Sequence, residues 1–313
     1  VQEFEDQFLY TVVLALALAA LAALSAWGLS ILMRRRGRPA ELPAWAGALL
    51  SLLIVVIPGT VSVLAWLPRE ESIGLLKLTL SSDWQALVYL APACGIVGLV
   101  LSLSLPKRWW ADLTAGILIA VVATLVIWPI VEPDGWQRRL TPGVLTAALY
   151  FVLNPFARRT RAAPTLALCL WIGAFAAGVA TLFVMGQRQP AAVLAPVGAS
   201  LVVLAAVARG RFSDLSGGAL AGCVSVLVAS PATAWLYASA VGVSFPLGLV
   251  LVTSLSPACA WAASLPRVRS WSAWKRTGLA VTLTALIAGG VIATMIVLDQ
   301  AQGEDDPLMQ MYG

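Results

Sequence analysis

Two acids, Asp112 and Asp214, each stand near the head of a long apolar run, "ADLTAGILIAVVATLVIWP" at 111–129 and "SDLSGGALAGCVSVLVASP" at 213–231. Placed carboxylates are common general acids and bases, which makes these two the first candidates for catalysis. They lack the company that such chemistry needs. The chain contains no histidine and no HExxH, and neither acid has a second carboxylate beside it, so there is no base for a serine nucleophile and no ligand set for a metal-bound water. The residues favour a structural task. An Asp at the water-exposed start of a helix accepts from unpaired amide N–H groups and opposes the positive end of the helix dipole, so Asp112 and Asp214 are expected to be N-caps.

Other chemistry fares no better. Cys94, Cys169, Cys223 and Cys259 lie singly in apolar runs with no CxxC pair, and read as small buried hydrophobes. Neither GxGxxG nor GxxxxGK occurs, which argues against nucleotide chemistry, and without histidine the usual axial ligand for haem is missing. No cofactor or metal is expected. What interrupts the apolar runs is proline: Pro58 with Gly59, Pro92, Asn154 with Pro155, Pro196, Pro231 and Pro257. Proline frees a carbonyl, and transporters place such breaks around a central site, but kinks that improve packing are the plainer reading. Asn154 reads as the lone amide within the apolar runs, bonded to a neighbouring helix or to the inner interface.

The elements that must carry these residues follow from composition. Of the 313 residues 60% are hydrophobic and 11% are charged, too little polar surface to cover a water-soluble fold. A bilayer core about 30 Å thick takes roughly 20 apolar helical residues to cross. Ten such spans are expected, at 8–33, 43–67, 84–105, 111–131, 141–157, 163–185, 190–208, 214–241, 244–265 and 277–298. The fold class is thus an all-α integral membrane protein in a single polytopic domain. Short acidic tails flank it at 1–7 and 299–313, and an outer loop at 69–83 carries leucines suited to the headgroup zone. The first residues, "VQEFEDQ", are acidic rather than basic, so the first span reads as a retained anchor.

Basic residues sort onto alternate loops. One side holds Arg34, Arg35, Arg36, Arg38, Lys107, Arg108, Arg158, Arg159, Arg161, Arg209, Arg211, Arg267, Arg269, Lys275 and Arg276; the other holds Arg69, Lys77, Arg138, Arg139 and Arg188. Positive residues stay cytoplasmic, so both termini are expected on the far side, in a membrane of the bacterial cytoplasmic type. The basic turns would attract anionic lipid at about 1 kcal/mol per surface charge, or dock a cytoplasmic protein. Trp45, Trp109, Trp110, Trp128, Trp136, Trp271 and Trp274 fall near span ends, where indoles favour the headgroup region, and Trp66 and Trp84 flank the outer loop. Without a soluble basic face of exposed aromatics, nucleic acid is not an expected partner despite the net charge of +5.

The two opening runs align at an offset of 102 residues, and the match continues through Leu153 with Leu255, Pro155 with Pro257, and Pro164 with Pro266. The aligned spans run in the same direction, so the expected repeat is parallel, laid over a chain of five successive membrane hairpins. Small residues four apart then suggest close helix packing: Gly116 with Ala120, Gly218 with Gly222, Gly173 with Ala177, Ala174 with Gly178, and Ala285 with Gly289. Every charge can be placed at or beyond a span end, whereas proton relays and ion paths need charge within the membrane. Two functions fit: a non-enzymatic scaffold or accessory subunit packed against partner helices and lipid, or a permease or flippase-like carrier of an uncharged or lipid-like substrate.

Overall fold

The computed structural model describes residues 2–35, 44–66, 85–104, 109–127, 136–158, 164–207, 218–240 and 245–304. Among them every regular element is helical. In chain order they are α1 (Gln2–Arg35), α2 (Ala44–Trp66), α3 (Ala86–Ser104), α4 (Trp109–Ile127), α5 (Trp136–Arg158), α6 (Pro164–Val184), α7 (Arg188–Val207), α8 (Gly218–Ala240), α9 (Leu247–Ser254), a 3₁₀ segment (Ser256–Ser264), α10 (Pro266–Arg269) and α11 (Ala273–Glu304). Six of them, α1, α3, α4, α7, α8 and α11, contain stretches long and apolar enough to cross a membrane; α2, α5 and α6 carry shorter apolar stretches among the described residues. The helices at both ends run past the expected spans, taking in residues 2–7 and 299–304 that sequence places in tails.

The ninth expected span is not one helix. It divides into the eight residues of α9 and the nine of the 3₁₀ segment. Pro257 cannot donate to the carbonyl of Thr253 four residues earlier, and the Ser256 hydroxyl donates to that carbonyl at 2.5 Å instead. Thr253 likewise donates to the carbonyl of Val250 at 2.6 Å. Hydroxyls that compete for main-chain carbonyls just before a proline favour the tighter turn. The expected junction near Gly242 and the loop at 69–83 lie outside the described residues.

One connection is described in full. Helix α6 is closed by Gly186, two residues past its end, whose φ of 68° places it in the left-handed region that costs glycine nothing. Its N–H donates to the carbonyl of Phe183 at 3.0 Å and that of Gln187 donates to Leu182 at 2.8 Å, the paired bonds of a Schellman cap. The chain then enters α7 directly. At the same end of the bundle, Phe8 of α1 meets Phe183 edge to face, ring centroids 5.0 Å apart. The first turns of α1 and the last turn of α6 therefore share one end.

Helix α8 is the axis of the packing. Of its span, 94% of residues are buried, and it packs against α2, α3, α4, α5, α6, α7 and α9. Helices α1 and α11 are outermost: α1 lies on α2 and α7, while α11 lies on α6, α9 and the 3₁₀ segment. Their spans are only 22% and 17% buried. Core side chains from α2, α3, α6 and α7, such as Ile54, Leu90, Phe175 and Leu194, join the Ala, Val and Leu of α8 in one continuous cluster.

Candidate functional site: paired proline gaps in the core

Helices α2, α3, α7 and α8 continue through Pro58, Pro92, Pro196 and Pro231 without changing type. Each proline therefore interrupts the hydrogen-bond ladder rather than the helix, and Pro257 alone of the buried prolines coincides with a change of helix type. What sequence does not disclose is how the residues beside them pack. Gly59, next to Pro58 in α2, lies against Val197, next to Pro196 in α7: a methyl group added at Gly59 would come within 2.8 Å of Val197 Cγ2 and 3.2 Å of its Cα. Glycine is required here because the partner backbone occupies the space a side chain would take.

A second contact joins α8 to α9. Pro231 leaves the Leu227 carbonyl without its usual donor, and Ser254 at the end of α9 supplies one, its Oγ donating to Leu227 O across a long 3.5 Å. Ser254 is 1% exposed, and Ser256 and Thr253 are fully buried beside it. Just before and just after Pro231, Ser230 and Thr233 are also fully buried, and among the described residues their hydroxyls have no hydrogen-bond partner. That sets them apart. Thr146, Thr181, Ser200, Ser225 and Thr284 are buried too, yet each donates to a carbonyl three or four residues back in its own helix.

The glycine faces named from sequence differ in how closely they are covered. Gly218 and Gly222 of α8 press on Gly95 and Ala91 of α3, where an added methyl would stand 2.5 Å from Gly95 O and 2.9 Å from Ala91 O. Ala91 and Gly95 form the complementary face, which sequence reading overlooked although the same four-residue spacing marks it. Gly116 and Ala120 of α4 face α5 more loosely: a methyl at Gly116 would lie 3.5 Å from Ala147 O, and the closer approach is made from the other side, by Gly143 to Ala120 O at 2.9 Å. Gly173 abuts Thr284 of α11 and Gly178 abuts Leu194 of α7, each at 2.9 Å from the added methyl, while Ala174 and Ala177 are buried. Ala285 and Gly289 are both exposed, with nothing within 4 Å of Gly289 or its neighbour Gly290.

Asp112 lies within the first turn of α4, which begins at Trp109, rather than ahead of it. The carboxylate still sits at the positive end of the dipole. Asp214 lies outside the described residues. Among the described residues no three His, Cys, Asp or Glu converge as a metal site. Cys94 and Cys223 are buried free thiols, Cys94 donating weakly to Ile119 O at 3.8 Å, and Cys259 is half-buried and free. Asn154 is 3% exposed, but it is not the lone amide: Gln85, immediately before α3, is completely buried. An apolar reading of the span from position 84 hid it.

Among the described residues, no charged side chain is fully buried. Of the basic turn residues, Arg267 and Lys275 are exposed. Arg276, half-buried in the first turn of α11, has an Nε with no hydrogen-bond partner. Arg36, Arg38, Lys107, Arg108, Arg159, Arg161, Arg209 and Arg211 lie outside the described residues, as do the side chains of Arg34, Arg35, Arg158, Arg269 and Pro155. Trp109, Trp110, Trp271 and Trp274, at the starts of α4 and α11, are all exposed, as a headgroup belt requires. Two apolar grooves complete the surface. One of about 210 Å³ is lined by Leu145, Leu149 and Val152 of α5, Val228 of α8, and Leu251 and Leu255 of α9 and its end; another, of about 420 Å³, lies between α1 and α2. Set against family models, curated proteins and solved structures, the chain matches none.

Proposed function

We propose that this chain is a non-enzymatic structural or accessory subunit of a larger membrane complex, holding partner helices and lipids in a membrane of the bacterial cytoplasmic type. The observation that carries this reading is the uncovered face of α11. Its span is the least buried of the six long apolar ones, and Ala285, Gly289 and Gly290 are exposed on it with open space beyond both glycines. In lipid a helix gains nothing by presenting glycine, whose place a larger apolar side chain fills better. A second helix gains a great deal, because glycine lets backbones approach and form close van der Waals contact. Anionic lipid at the cytoplasmic face would be drawn to the exposed Arg267 and Lys275.

Extraction in native lipid discs tests the proposal: another membrane subunit should accompany the chain, and Gly289→Leu should release it. A chain that leaves the membrane alone, with lipid only, would overturn it. A second reading has its own support. A permease or flippase-like carrier of an uncharged or lipid-like substrate would use proline breaks near a central site; in support, Gly59, beside Pro58, packs on Val197, beside Pro196, and the carbonyl freed by Pro231 accepts from Ser254. Purified chain in liposomes should then move a solute or a labelled lipid, and the scaffold should move neither.

A further inference from the structure

We infer that Ser230 and Thr233 of α8 mark a binding site for a small neutral molecule bearing O–H groups, of which water is the smallest. The inference holds for a scaffold and for a carrier alike. It starts from the two hydroxyls without partners. Ser230 and Thr233 are fully buried, and neither turns back to its own helix as the other buried hydroxyls of long helices do. Burying a hydroxyl with no partner is unfavourable, and in lipid there is no bulk water to relieve it. Two such groups on one stretch of the innermost helix, flanking the one residue that frees a carbonyl, make a local surplus of hydrogen-bonding capacity.

One turn earlier on the same helix a carbonyl is weakly bonded. The Ser254 hydroxyl reaches Leu227 O only at 3.5 Å, and one residue beyond it the chain changes to a 3₁₀ turn at Ser256 and Pro257. Residues three apart on a helix have Cβ atoms about 5–6 Å apart. One O–H molecule making two bonds of about 2.8 Å bridges such a span between Ser230 and Thr233. Charge selects the class of ligand. Among the described residues no carboxylate is buried and no cluster of metal ligands exists, so a cation would have only neutral oxygens for company. An anion would have no buried cation to meet. A neutral molecule that both donates and accepts suits hydroxyls that can do either.

Hydroxyl-radical footprinting of the unaltered protein in detergent is the first test, since radicals formed from internal water oxidise the side chains beside it. Leu227 and Leu220 belong to the same helix and are 1% and 0% exposed. The site predicts that Leu227 is oxidised several-fold faster than Leu220; equal rates overturn it. Repeating the experiment with glycerol distinguishes the sources: protection of Leu227 identifies a site that admits a small alcohol, and unchanged oxidation one that holds water alone. The second test is Thr233→Val, which keeps the shape and removes the hydroxyl. If the hydroxyl is satisfied by a ligand, the melting temperature falls by about 2–4 °C. If it is an unrelieved orphan, its removal raises the melting temperature, and the inference fails. Should the variant not fold, the footprint of the unaltered chain decides by itself.

Discussion

Helices α8 and α11 carry the same device in opposite surroundings. Each has small residues four apart, Gly218 with Gly222 and Ala285 with Gly289. On α8 that face is filled by Ala91 and Gly95 of α3, in a span 94% buried; on α11 it looks outward from a span 17% buried. A four-residue glycine spacing therefore states that a helix can be approached closely, not that it has been. Where the covering helix belongs to the same chain, the motif serves stability; where it does not, the motif is available to another molecule. The aligned pair α4 and α8 makes a related point, because Gly116 and Gly218 share a place in the expected repeat while only the second is tightly covered.

The largest effect should come from filling the covered face. Gly222→Leu drives a side chain into Val56 and the Ala91 carbonyl, and overpacking of this kind costs about 1–3 kcal/mol or more, read as a lower melting temperature in detergent or loss of folded protein. Gly289→Leu breaks the comparison from the other side. With nothing within 4 Å of Gly289, the melting temperature should hold, while recovery of any partner subunit drops tenfold or more. A fall in melting temperature as large as that of Gly222→Leu would mean that α11 packs within its own chain.

Smaller changes sharpen the contrast across the repeat. Gly116→Ala meets only ordinary contacts at 3.5 Å and should raise stability by about 0.5–1 kcal/mol through helix propensity, whereas Gly218→Ala, 2.5 Å from the Gly95 carbonyl, should lower it. Equal responses would restore the symmetry that the sequence suggests. Least of all, Asp112→Asn should cost about 0.3–1 kcal/mol from the dipole interaction and leave function intact. If it abolishes function with assembly preserved, the acid has a chemical task after all.

Length and composition were enough to read helices apolar enough to cross a membrane, and among the described residues every regular element is helical. Burial order was not readable. Lipid is as apolar as a protein core, so the inward face of α8 and the outward face of α11 are written in the same residues, and polar periodicity marks neither. The ninth span failed for a local reason. Pro257 resembles the other prolines, and the distinguishing signal was its neighbours Thr253, Ser254 and Ser256, whose hydroxyls draw the main chain away from α-helical bonding. Gln85 escaped notice because it stands at the edge of an apolar run. The approach of Gly59 to Val197 is a fact of tertiary contact, and nothing local in either segment announces it.

The 3₁₀ segment has a mechanical consequence. At 3.0 residues per turn and about 2.0 Å of rise, its nine residues reach about 18 Å and stack every third side chain into straight columns. Its long neighbours are α5, α6 and α11. Helices with spiralling ridges can ratchet past one another by a turn; a three-sided prism wedged among them resists that slippage. Motion of α11, the outermost of the three, would therefore be felt at α5 and α6 as a push on a rigid strut.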